Sequence, residues 1–245
     1  IAQVRLDARH ARPYPPGRLR INGNAWPATS FARLAIAWAH RDRVLQGDRL
    51  IEHEAGSIGP EPGTTTTVRV LHALSGAVLH EAAGIAGTSH THDLLLANDA
   101  TLRVEIESRR GALASRQKHV RILACECGEK LGNGDFDTQA VWALGAGWSI
   151  TGGAAIKAAG IASDLEQPFA FVDGGLYRIE VVLSQVTAGS VRIRFAGITP
   201  IDGVARNASG TFIDTLTAAG HTALRIAADA AFAGRIERIS LRQLA

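Results

Sequence analysis

In GTSHTHDLLL, residues 87–96, His90 and His92 stand two apart with Asp93 beside them. Imidazoles at that spacing open the ligand set of several zinc enzymes, and on a strand they would point to one face. A zinc centre, however, needs three or four converging donors. The zinc-hydrolase pattern continues with a further His directly after the Asp, where this chain has Leu94, and Asp99 and the other histidines supply no recognised spacing. The spacing predicts a structural His pair and no catalytic metal. Cys125 and Cys127, in ACECGEK, are separated by one residue. A mutual disulfide is strained at that separation, and two sulfurs make half a ligand set, so reduced thiols in a linker are expected. Asp135 and Asp137 could in principle serve glycoside hydrolysis, but they lie in a glycine-rich turn with no cleft-building insertion nearby. The sequence carries no G-x-S-x-G, no P-loop and no G-x-G-x-x-G in a βαβ setting, and it reads as a non-enzyme that requires no cofactor.

Composition narrows the remaining classes. The chain has 245 residues, of which 46% are apolar, enough for a sizeable core in one large or two ordinary domains. No run of eighteen apolar residues occurs, so membrane insertion by a helix is not expected. The absence of any methionine suggests a processed or excised piece of a longer chain. Net charge is +3 and the pI about 9.2, but the arginines are scattered singly, which gives nucleic-acid binding little support.

The elements that would position any site are strands. In ARLAIAWAH, Leu34, Ile36 and Trp38 fall on one face, the period-2 pattern of a half-buried strand. TTTTVRVLH repeats it, and TLRVEIES sets Leu102, Val104 and Ile106 inward against Arg103, Glu105 and Glu107. GPEPG at 59–63, LSG at 74–76, AND at 97–99 and RRG at 109–111 punctuate these segments as turns. Composition shifts near CECGEKLGNGDF, and further alternating segments follow. Tyr177, Ile179, Val181 and Leu183 share one face, as do Val191, Ile193 and Phe195. The fold class is therefore all-β, with two β-sandwich domains. A leader over 1–14 passes through an extended ARPYPPGRL, the first domain occupies 15–123, a linker 124–130 and the second domain 131–245.

The first domain resembles a fibronectin type III module of the kind found in phage tail-tip and central-fibre proteins. The resemblance is carried by PPGRLRING, by LAIAWAHRDR with Trp38 as core tryptophan, by GPEPGTTTTVRVL and by LRVEIESRRGALAS. It departs at Leu102, where an aromatic residue is usual, and it places GTSHTHDLLL as the connection and short strand before the penultimate strand. The second domain resembles a carbohydrate-binding-module jelly roll, a class also recurrent in phage tail proteins. Here the carrying segments are LGNGDFDTQAVWALGAGWSITGGAAI, FVDGGLYRIEVVLS, GTFIDTLTA and FAGRIERISLRQL. That resemblance implies a structural calcium between the opening segment and the closing strand. Asn133, Asp135 and Glu237 would be its oxygen ligands, with Glu237 standing where Asp is common.

Sugar rings offer CH faces and a fringe of hydroxyls, so a glycan site needs flat apolar surfaces beside bidentate polar groups. Trp142 and Trp148 could supply the first, although Trp148 heads a strand and reads equally as core. Arg178, Glu180, Arg192 and Arg194 alternate outward from apolar positions and could supply the second. The resemblances together imply a virion component, a tail tip or fibre facing the host. Its partners would be other tail-tip subunits in a homo-oligomer, a trimer being favoured, and a host surface glycan. The alternative is an accessory module pair of a secreted glycan-active enzyme.

Overall fold

A computed structural model describes residues 9–47 and 49–245. The leader expected at 1–14 thus lies outside the described residues over its first eight positions. Within the described part, Arg9–Ala11 is a 3-10 turn and residues 13–16 have no regular structure. The chain divides into two compact units between Cys127 and Gly128. No sheet combines strands from both, and no helix among the described residues is long and apolar enough to cross a membrane.

The first unit is a β-sandwich. One sheet orders β1 (Gly17–Ile21), β3 (Arg33–Ala39) and β6 (Ser89–Asp93) as β1-β3-β6, all antiparallel. The other is built from β2 (Thr29–Phe31), β4 (Thr64–His72), β5 (Val78–Ile85), β7 (Ala100–Arg110) and β9 (His119–Glu126) in the order β2-β9-β7-β4-β5. The short β8 (Leu113–Ala114) returns on β7. Leu34, Ile36 and Trp38 from β3 face Val68 and Val70 from β4 and Leu102, Val104 and Ile106 from β7, and all are buried. Leu102 fills its position with no exposure at all, so an aliphatic side chain serves where the resemblance suggested an aromatic one. Gly17 opens β1 because a Cβ there would collide with the Arg41 guanidinium. Between β3 and β4 a single helical turn, α1 (Arg43–Gln46), is capped by Asp42, whose Oδ1 accepts from Val44 N and Leu45 N at 2.8 and 3.1 Å.

Two expectations about the join need correction. Residues 124–126, assigned to a linker, are the end of β9. Cys125 and Cys127 are both buried and joined in a disulfide, not reduced. The physical reason is that β9 ends at Glu126, so the chain leaves the extended conformation at Cys127 and brings the two Cα atoms to 5.2 Å, within disulfide reach.

The second unit has ten strands: β10 (Ala143–Leu144), β11 (Trp148–Ile150), β12 (Ala155–Lys157), β13 (Ser163–Pro168), β14 (Leu176–Ala188), β15 (Val191–Gly197), β16 (Ile201–Asp202), β17 (Gly210–Thr217), β18 (His221–Ala228) and β19 (Ala233–Gln243). They form two five-stranded sheets, β10-β13-β18-β15-β16 and β11-β12-β19-β14-β17. One core joins them, in which Tyr177, Ile179, Val181 and Leu183 of β14 meet Val191, Ile193 and Phe195 of β15 and Leu224 and Ile226 of β18. At its opening, Glu129 Oε1 accepts from the backbone N–H of Lys130, Leu131 and Leu241 at 3.0, 3.1 and 2.8 Å, and Oε2 lies 2.7 Å from Arg242. One carboxylate thus ties the entry of the domain to its closing strand.

Trp38 is 5% exposed, and its Nε1 has no hydrogen-bond partner. Trp38→Ala should therefore lower the unfolding free energy of the first sandwich by roughly 3 to 5 kcal/mol, while Trp38→Phe, which forfeits no hydrogen bond, should cost clearly less. Denaturant titrations of the full chain check both. Glu129→Ala strips several charge-assisted hydrogen bonds at once and should destabilise the second sandwich by about 1.5 to 3 kcal/mol, visible as a lowered midpoint confined to its unfolding transition.

Candidate ligand site on the second sandwich

The outward face of β10-β13-β18-β15-β16 carries the charged residues that alternation pushed out of the core. Register sets Asp164, Ala227 and Arg192 side by side in one row, and Glu166, Arg225, Arg194 and Asp202 in the next. Ala227 is the small member of its row, so it forms the floor of a trough between a carboxylate on β13 and a guanidinium on β15. The trough measures about 360 Å³ and ends at Ser163 and Asp229. Arg194 grips Asp202 through two bonds, Nε to Oδ1 at 2.6 Å and NH2 to Oδ2 at 3.0 Å. That hydrogen bonding holds the Asp202 carboxyl below its ordinary range and raises Arg194. Arg192 reaches Asp202 with NH1 alone, at 3.2 Å, and is the more exposed of the two. Arg225 pairs with Glu166 and lies 3.6 Å from Asp164. Asp229 is committed to the backbone and hydroxyl of Ser190 at 2.8 and 2.7 Å, which keeps its carboxyl low.

Such a row presents donors and acceptors at fixed spacing to a hydroxyl-bearing ligand. It does not present the expected aromatics. Trp142 and Trp148 are 4% and 6% exposed, packed in the core, with Nε1 donating to Asn133 O at 3.0 Å and Ser163 O at 3.2 Å. The other two expected contacts are also elsewhere. Arg178 and Glu180 lie on β14, in the opposite sheet, where Glu180 is held between Arg178 at 2.9 Å and Arg238 at 2.6 Å. Alternation placed all four charged residues outside, but outside in a sandwich means either of two faces. Asp164, which lines the trough, and the adjacent pair Glu166 and Arg225 gave no signal beyond ordinary charged residues in short strands.

The calcium ligands inferred from resemblance have other engagements. Asn133 folds its carboxamide onto its own loop, with Oδ1 accepting from Thr138 N at 3.4 Å and Nδ2 donating to Ala140 O at 3.3 Å. Glu237 accepts from the Ser184 hydroxyl and, at 3.1 Å, from Arg235, and the Ser184 bond above all holds its carboxyl low. Asp135 is exposed. Among the described residues no group of three or more His, Cys, Asp or Glu is gathered for a metal ion.

His90 and His92 pair across β3 with Ile36 and Leu34, so both point inward at the sandwich edge. The structure adds a third imidazole that their spacing did not disclose. His80, opposite Val70 on β4, also turns inward from the edge strand β5. Its ring lies 3.6 Å from that of His92, stacked within 10°. Toward His90 it is end to end: Nε2 to Nε2 is 2.8 Å, with ring centroids 5.0 Å apart and planes within 4°. Facing nitrogens at that distance form a hydrogen bond when one ring carries the proton on Nε2 and the other accepts it. Asp93 is held by Arg33 at 2.7 and 2.8 Å.

No protein-family model matches this sequence, and no curated protein matches it. Among solved structures, the secreted serine protease VesC from Vibrio cholerae is 10% identical with a TM-score of 0.31, over 91% of this chain and 50% of that one. The chicken CNTN1 FN1-FN3 domains are 10% identical with a TM-score of 0.31, over 93% and 69%. The CBM51-2 and INT domains of Clostridium perfringens ZmpB are 8% identical with a TM-score of 0.31, over 60% and 38%. The chain spans half the length of the first of these. At that TM-score the likenesses carry no argument, and the two sandwiches rest on their own strand pairing.

Burial, followed by the neighbouring imidazoles, pushes the His80 and His92 pKa values down, while Asp93 partly opposes the shift at His92. A histidine whose folded pKa lies below its unfolded value of about 6.5 contributes stability that is present above that pH and lost as pH falls through the folded pKa. His40, His53 and His119 are shifted the same way, chiefly by burial. The unfolding midpoint of the first sandwich should accordingly fall between pH 7.5 and 5.5. His80→Phe, which keeps a flat ring in the stack but cannot titrate, should flatten that dependence. An unchanged slope would remove the histidine stack as its source.

Proposed function

We propose that this chain is an adhesive, non-catalytic pair of β-sandwiches, the host-facing part of a phage-like tail tip or fibre. On this reading the second sandwich contacts host surface glycan through the trough between Asp164 and Arg192. The observation that carries the glycan contact is the row Asp164–Ala227–Arg192, where a carboxylate and a partly engaged guanidinium flank a floor without a bulky side chain. Neighbouring sugar hydroxyls can donate to the one and accept from the other. Support for the virion setting comes from the sequence pattern WAHRDR…GPEPGTT…VEIESRRGALAS. The non-catalytic reading draws on the prior commitments of Asp202, Glu166 and Asp229 to arginines and backbone amides, which leave them poorly placed as general acids or bases.

A shallow face without aromatics binds a single chain end weakly. Several copies around one axis, as in the favoured trimer, turn weak contacts into attachment through effective concentration. Tail-tip subunits are then the natural partners, and neither a cofactor nor calcium is needed for the contact.

Arg192→Ala leaves the core untouched and should weaken binding of the full chain to purified host surface polysaccharide about tenfold, equivalent to about 1.4 kcal/mol. Glycan binding and particle adsorption that both survive Arg192→Ala and Asp164→Ala would show that the trough is not the contact. Recovery of the chain as part of a larger polypeptide with a glycan-cleaving domain would instead favour the accessory-module alternative.

A further inference from the structure

Three of the four tryptophans are core residues, whereas Trp26 is 72% exposed. It sits in the turn after β1, which is closed by reciprocal backbone bonds between Ile21 and Asn24 at 2.9 and 3.0 Å, and Trp26 N donates to Asn24 Oδ1 at 3.0 Å. One face of the indole is covered by the Arg121 guanidinium, 3.6 Å from the ring centroid. Arg121 is itself buried and fixed, with Nε donating to Ala25 O at 2.7 Å and NH1 to Val120 O at 3.0 Å. The ring is thus held in place with its other face open, which lowers the ordering cost of stacking a ligand there.

The charge around this platform is mainly positive. Among the described residues Arg121 forms no ion pair, and Glu54 and Arg20 act on it with opposite sign. Arg20 is already paired with Glu54, whose carboxyl is held low first by that bond, with smaller contributions from His53 and Arg18. His53 in turn feels Arg121, Arg41 and Arg20. Arg41 is buried and satisfied only by the carbonyls of His40, Glu52, His53, Ala55 and Gly56. Among the described residues, Glu54 is the carboxylate that acts on this group of Arg18, Arg20, Arg41 and Arg121. Uncompensated cations of this kind favour an anion nearby. The cation behind the indole adds to the positive charge of the site, and that charge favours a ligand carrying an anionic group. A nucleic acid strand would need successive stacking platforms along a basic groove, and here one indole stands by itself among the exposed tryptophans.

We propose that Trp26, backed by Arg121 and set in the charged neighbourhood that includes Arg20 and Arg18, is a stacking site for an anionic sugar ring on the first sandwich. It stands on observations separate from the trough of the second sandwich, so either can fail without the other. The test is intrinsic fluorescence of the full chain, in which Trp26 is the exposed fluorophore, titrated with a heparin tetrasaccharide and a hyaluronan tetrasaccharide. Cellotetraose serves as neutral control and an oligothymidylate as nucleic-acid control. The acidic sugars should perturb the emission saturably, more weakly as salt rises, and the neutral sugar should not. By calorimetry, which needs no fluorophore, Trp26→Ala should weaken binding at least tenfold and Arg18→Glu several-fold, both with unchanged melting, whereas Arg192→Ala should leave it intact. Response to one acidic sugar only would assign the anion as sulfate or carboxylate within the proposal. Absence of binding by both acidic sugars, full binding by Trp26→Ala, or tighter binding of the oligothymidylate would overturn it.

Discussion

A β-strand can hide only one of its two faces, and in this chain the hidden face is fixed by rows such as Leu34, Ile36 and Trp38 or Ile179, Val181 and Leu183. Each sheet therefore needs a second sheet against it, and both units close in this way. The same constraint drives every large ring with room inside toward the core. Trp148 enters it from β11 and Trp142 from the turn just before β10, whereas Trp26, on the turn after β1, is left at the surface. Chemistry available to a partner is confined to outer faces, edges and turns.

On the outer faces, charges pair both across strands and along them, at positions two apart. Glu105 and Glu107 on β7 are buried beneath Arg69, Arg103, Arg109 and Lys118, each within ion-pair distance of one of the two carboxylates. In the second unit Glu180 lies between Arg178 and Arg238, and Asp202 between Arg192 and Arg194. Exposed or half-exposed pairs of this type are each worth a fraction of a kcal/mol, and their effect is to leave few charges uncompensated. Against that background the incompletely engaged Arg192 and the carboxylate-free Arg121 stand apart, since their remaining capacity faces outward or through an exposed ring.

The edges are managed differently. β5 and β6 are edge strands of different sheets, and the gap between them is filled by His80, His90 and His92, rings flat enough to stack and polar enough to hydrogen-bond where water begins. Apolar side chains would close the same gap without sensitivity to protons. Using imidazoles makes the closure of the first sandwich dependent on His80 and His92 staying largely neutral.

Read alone, the sequence determined the class of fold, the segments with strong alternation and the side of each strand that faces the core. TTTTVRVLH coincides with β4, the rows of β3, β7, β14 and β15 point as their pattern demands, and Trp38 is buried. β5 and β13 were not legible, because VLHEAAGI is a half-exposed edge strand and SDLEQP is polar along most of its length. Period-2 alternation is local information, telling which residues of one strand share a face but not which strand lies next or which sheet that face belongs to. The tertiary structure alone therefore decided that Arg178 and Glu180 are separated from Arg192 and Arg194, that His80 joins a pair ten residues away, and that Cys125 and Cys127 meet where β9 ends. It decided, too, that the tryptophan open to a partner is Trp26, since contacts between residues distant in the chain are set by strand pairing and not by spacing.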